Sequence, residues 1–111
     1  MNASQLRDLA CTALDELKGQ DIVCLDVGEM TSIADYMVVA TGTSTRHVKA
    51  LADEVVRHCK EAGVTVKSME GAQQAEWVLL DLGDVIVHVM QGATRKLYDL
   101  ESLWNLSPVQ N

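Results

Sequence analysis

The stretch EWVLLDLGDVIVHVM, residues 76–90, decides the fold, because it reads as two β-strands about a tight turn and yet carries Asp81 and His88, which a plain hairpin does not need. Placing Gly83 and Asp84 in a two-residue loop, with glycine at the first central position of a type II′ turn, sets Leu82 opposite Val85. Followed inward, that register pairs Leu80 with Val87 and Val78 with Val89, a face without a polar side-chain atom. The other face pairs Asp81 with Ile86, Leu79 with His88 and Trp77 with Met90. A slip of one residue would exchange the faces, so the uniform face specifies the register and is expected to be core. The mixed face has two readings. Burying Asp81 unpaired would cost on the order of several kcal/mol, so the strip is expected to stay half exposed, with Trp77, Leu79, His88 and Met90 composing a binding surface. Alternatively the last helix, with Tyr98 and Trp104, packs over it and leaves only its rim wet.

Outward from the hairpin, the rest of the chain resolves into elements. Leu6, Leu9, Ala10, Ala13, Leu14 and Leu17 recur at helical spacing, with Asn2 or Ser4 as N-cap and Gly19 as the stop. Residues 21–27 are rich in β-branched side chains and predict a strand, residues 28–34 a loop, and residues 36–41 a strand covered on both faces. After Thr43, Ser44 and Thr45, any of which could cap, a stripe of Val48, Leu51, Ala52, Val55, Val56 and Cys59 predicts a second helix that stops at Gly63. Residues 64–69 form a short candidate strand. Residues 94–104, with Leu97, Leu100, Leu103 and Trp104 in phase, predict a closing helix, and residues 106–111 a tail. The order is αββαβββα, an α/β single domain with a mixed sheet of about five strands and flanking helices.

The 111 residues, 48% hydrophobic and 23% charged, suit one compact core and leave no room for a second. Cys11, Cys24 and Cys59 stand singly in apolar contexts and lack a CxxC spacing, so they are expected to be buried, reduced thiols. The first residues, MNASQLRDLA, have no basic flank followed by an apolar run, and no uncharged apolar stretch reaches membrane-spanning length, which places the protein in the cytosol with no membrane partner. A formal charge of −7 repels bare nucleic acid at long range, and no direct sequence-specific binding to it is expected. A basic protein surface would attract the chain instead; alternatively the acidity merely keeps the domain soluble.

Little catalytic chemistry is on offer. Asp84 falls in the turn itself and Asp81 beside it, so turn chemistry explains the pair better than a carboxylate dyad does. His47 and His58 are eleven residues apart and His88 sits on a strand, so no metal pair arises and none is expected. The enzyme reading rests on residues 42–45, where a strand end, a glycine and a hydroxyl-rich helix start could cradle phosphate on backbone N–H groups. A nucleotidyltransferase would also need paired carboxylates on the next strand to hold magnesium. That strand offers Lys67 and Glu70 instead, and no cofactor is expected.

One family carries this set of residues in this order: DV at 26–27, DY at 35–36, TGTSTRHV at 41–48, EG at 70–71, WVLLDLGDVIVH at 77–88, RKLY at 95–98 and LESLW at 100–104. Nearly the whole chain resembles the ribosomal silencing factors, also called the Iojap-like family. The resemblance implies a nucleotidyltransferase-like α/β fold without the catalytic carboxylates, and a protein with no enzymatic activity. It further implies binding to the large ribosomal subunit through that subunit's protein fourteen, which blocks joining of the small subunit and lowers translation when nutrients run short. Trp77 and its hairpin neighbours, with Arg95, Tyr98 and nearby acids, become the contact positions. Physically, Trp77 would be the anchor, Leu79 and Met90 its flanks, His88 part of the same strip, and Asp99 and Glu101 the charge offered to basic side chains. Leu97 stands where the family commonly has an aromatic, and Met90 where it commonly has phenylalanine. The same apolar face could instead pair two copies of the chain as a homodimer.

Overall fold

The computed structural model describes residues 1–100 and 102. Its elements are α1 (Ala3–Glu16), β1 (Gln20–Asp26), β2 (Tyr36–Gly42), α2 (Thr45–Glu61), β3 (Ser68–Glu70), β4 (Trp77–Asp81), β5 (Val85–Gln91) and α3 (Gly92–Tyr98), in the order read from the sequence. The five strands form one mixed sheet in the spatial order β1-β2-β5-β4-β3, parallel only between β2 and β5.

Local chemistry accounts for the helix ends. At the start of α1 the Asn2 carboxamide accepts from the Gln5 N–H at 2.8 Å while the Gln5 side chain accepts from the Asn2 N–H at 3.0 Å, a reciprocal capping box. At its end the left-handed residue is Lys18, φ 60°, and Gly19 N–H closes on the Leu14 carbonyl. The stop therefore falls one residue before the glycine that the pattern singles out. Of the three hydroxyl residues before α2, Ser44 is the cap, its Oγ accepting from the His47 N–H at 3.1 Å. His47 then latches the two helices: its Nδ1 accepts from the Thr43 N–H at 2.9 Å and its Nε2–H donates to the Leu17 carbonyl at 2.7 Å.

The hairpin register is the expected one, with Leu80 opposite Val87, Val78 opposite Val89 and the Leu82 N–H bonded to the Val85 carbonyl across the turn. Gly83 has φ +95°, as the first central residue of a type II′ turn requires. These residues join Leu6, Leu14, Val38, Leu51 and Val55 in a core between one sheet face and helices α1 and α2. Each fully buried leucine or valine there contributes roughly 1.5–3 kcal/mol. On the opposite face Leu25, Val27, Met37, Val39, Met90 and Leu100 form a second, smaller cluster, with Val23 and Trp77 at its margin.

Four expectations are corrected. Strand β3 covers only Ser68–Glu70, because just these residues pair with β4; residues 64–67 are not part of it. Helix α3 begins at Gly92, earlier than predicted, and ends at Tyr98, where Asp99 turns left-handed with φ 45°. Leu97, counted on its apolar stripe, is 77% exposed. Glu101, Leu103, Trp104 and the predicted tail at 106–111 lie outside the described residues. The thiols are also not solitary: Cys24 and Cys59 are buried, but Cys11 is partly exposed and its sulfur lies 2.9 Å from that of Cys24. Helical and strand spacing cannot reveal a contact between two different elements.

Candidate protein-binding face

The second sheet face holds the residues that the mixed side of the hairpin brings together. Trp77 opens β4 directly opposite Met90 on β5, and Leu79 lies opposite His88. The indole Nε1–H of Trp77 donates to His88 Nδ1 at 2.9 Å, and the Tyr98 ring sits at 4.8 Å between centroids on the same indole, tilted by 47°. His88 and Tyr98 therefore hold Trp77 from two sides, a tilted aromatic contact and a neutral hydrogen bond that each restrict the side chain at small entropic cost. Trp77 and Leu79 stay half-buried, while Tyr98 and Asp99 are exposed.

Burial separates the predicted residues into two groups. Met90 is fully buried within the second cluster, and His88 keeps only 7% of its surface. Neither offers a side chain to a partner in this arrangement, which corrects the expectation that both belong to the contact strip. Met90 is core, and His88 positions the indole. Asp81 is half-exposed, and its Oδ1 accepts from the Gly83 N–H at 2.9 Å, so its role is the local turn. Arg95 reaches across the end of the sheet, donating from Nη1 to the Asp21 carbonyl at 2.6 Å and to Thr41 Oγ1 at 2.9 Å. That contact ties α3 to the irregular start of β1, where the pairing with β2 shifts between Gln20 and Val23.

Sequence reading missed the loop beside this face. Val27, Ile33, Ala34 and Met37 line, with Leu79, Ile86, His88 and Leu100, an apolar cavity of about 290 Å³. Ile33 at 72% and Met30 at 55% are among the most exposed large apolar residues described. Their signal was visible, since two large apolar side chains in an otherwise polar loop have no strand or helix period to bury them.

Burial holds the His88 imidazole below its ordinary range, at about 4 against 6.5. At neutral pH the ring is therefore uncharged, as its acceptance from Trp77 requires. The unfolded chain binds a proton near 6.5 and the folded chain does not until about 4, so stability falls as the pH drops through that window and levels off below it. The expected loss is roughly 3 kcal/mol. His88→Gln, which keeps an acceptor but cannot titrate, should lack this slope. Urea denaturation of both proteins between pH 7 and pH 4 checks it, and parallel curves would refute the assignment.

The other sites considered are closed. Gly42 packs so tightly on α2 that a Cβ there would lie 2.7 Å from Val48 Cγ2. Beside it the Thr43 and His47 N–H groups are already bonded to His47 Nδ1 and Ser44 Oγ, so two donors of the supposed phosphate cradle are committed. Among the described residues one group has the composition of a metal site: Glu16, Glu54 and His58 bring their ligand atoms within 4.8 Å of one another. Arg57 grips both oxygens of Glu54 at 2.7 Å and holds that carboxyl down at about 2, while His58 bonds Glu16 at 2.8 Å. The group is an ion-pair network joining α1 to α2.

Comparison with known proteins gives one consistent result. Residues 1–111 match the family model described as "Ribosomal silencing factor during starvation". A ribosomal silencing factor of Chromobacterium violaceum is 50% identical over 94% of this chain and 85% of its own length, and one of Bacillus subtilis is 40% identical over 98% and 92%. A mouse protein named for mitochondrial assembly of the ribosomal large subunit is 32% identical over 89% of this chain and 45% of its own length. A crystal structure of a Chromobacterium violaceum protein, 47% identical, superposes with a TM-score of 0.94 over 99% of this chain and 92% of that one.

Proposed function

We propose, from the premise that this chain belongs to the ribosomal silencing factor family, that it silences ribosomes by seating its Trp77 face on protein fourteen of the large subunit. The small subunit is then sterically excluded and translation falls under nutrient limitation. The observation that carries this reading is the half-buried indole fixed between His88 and Tyr98 beside exposed apolar and acidic groups. A pre-oriented aromatic anchor supplies binding energy without first losing rotamer freedom. The charge of −7 adds steering toward a basic ribosomal protein, so association should slow as salt rises.

Steric exclusion asks for affinity and bulk and for no bond-making, so the protein acts as a regulator in the cytoplasm and not as an enzyme. The internal hydrogen bonds of residues 42–45 support that choice over nucleotide chemistry. Co-sedimentation with separated subunits tests it. The protein should travel with the large subunit alone and reduce the yield of joined ribosomes when both are supplied. Binding to neither subunit, or heat on titration with magnesium nucleotides, would favour the enzyme reading. Self-association through the same face would compete with subunit binding, and light scattering across a concentration series measures it.

A further inference from the structure

Cys11 lies on the sheet-facing side of α1, one turn beyond Arg7, and Cys24 lies on β1 with its side chain in the core between sheet and helices. Their sulfurs are 2.9 Å apart, with one thiol donating to the other, against ~2.05 Å in a disulfide. Cys11 is partly exposed while Cys24 is 4% exposed, so the pair lies at the margin of the core with Cys11 on its solvent side. The Arg7 guanidinium, seated 4.7 Å over the Tyr36 ring, places a positive charge near both sulfurs. A partly exposed cysteine, a resolving thiol within reach and a nearby cation are the components of a redox-sensitive pair.

We propose that Cys11 and Cys24 form a reversible disulfide on exposure to a hydroperoxide, stapling α1 to β1. The Cys11 sulfur attacks the peroxide, the O–O bond breaks, and a sulfenic acid and one water (or alcohol) result. The Cys24 sulfur then attacks the sulfenic sulfur, the S–O bond breaks, and a second water leaves. Two thiols lose two electrons and two protons in all, and the peroxide is reduced by the same two electrons. The hydrogen bond to Cys24 and burial push the Cys11 thiol up, so the reaction is slow and answers sustained exposure rather than a brief pulse. Cys59, fully buried on α2, has no place in it.

Hydrogen peroxide on the purified, full-length wild-type chain is the test. The free thiol count, titrated in denaturant, should fall from three to one. Trypsin should then release residues 8–18 joined to residues 19–46, separable by dithiothreitol, and the oxidised monomer should melt at a higher temperature than the reduced one. Cys24→Ser should abolish the joined peptide and leave a sulfenic acid on Cys11 that dimedone traps. The wild-type digest alone decides the matter should that variant not fold. Three thiols remaining, oxygen added to separate cysteines, a bridge involving Cys59, or a bridge between two chains would each overturn the proposal.

Discussion

Trp77→Ala is expected to weaken binding to the large subunit at least thirty-fold, the consequence of losing about 2 kcal/mol or more at an aromatic hot spot. The size follows from placement. Among the described residues Trp77 is the largest side chain of the face that is neither core nor fully exposed, and two neighbours already restrict it. Tyr98→Ala removes one of those neighbours and should produce a smaller loss, and Leu97→Ala, at a site 77% exposed, should leave folding intact whatever it does to binding. Sedimentation at a series of protein concentrations gives the affinities, and circular dichroism confirms that each variant is folded. Unchanged affinity in a folded Trp77→Ala protein would remove the anchor assignment.

Gly71→Ala is expected to destabilise the domain by about 2–5 kcal/mol, a large part of the 5–15 kcal/mol that holds a domain of this kind together. Gly71 has φ +85°, and a Cβ there would fall 2.1 Å from the Trp77 carbonyl oxygen. Strand β4 would have to move at its first residue, and the indole with it, so binding should fall alongside stability. Gly63→Ala separates the two causes, since Gly63 has a similar φ of +74° but open space around its missing Cβ. It should cost roughly 1–2 kcal/mol, the backbone contribution alone. Equal midpoints for the two variants in urea would show that the contact with Trp77 carries no weight.

How much was legible in the sequence depended on how local each cause was. The hairpin register could be read because Leu80, Val87, Val78 and Val89 form a face with no polar atom, and a sheet alternates faces strictly. The same alternation assigned Met90 and Trp77 to one strip, yet it could not see that Met90 is buried in the second cluster with Leu100 while Trp77 stays at its margin. Burial on that face is set by what crosses over it, not by the strand. The capping residue of α2 was narrowed to three hydroxyls, and choosing Ser44 needed the side-chain geometry. The contact between Cys11 and Cys24 and the span from Arg95 to Asp21 join distant elements, and no period in the chain encodes them.

Strand β5 occupies the middle of the sheet although it is the last strand among the described residues, bonded to β2 on one side and β4 on the other. During synthesis, β1 with β2 and β3 with β4 can pair as two separate ladders, but nothing joins them until residues 85–91 have left the exit tunnel. Each ladder carries an open edge in the meantime, and the core beneath α1 and α2 stays incomplete because Val85, Val87 and Val89 fill its centre. A nascent chain halted before β5 should therefore remain protease-sensitive, and protection should arrive in one step as that strand emerges. A chain of a ribosomal silencing factor family thus becomes folded only after residues 85–91 have themselves been translated.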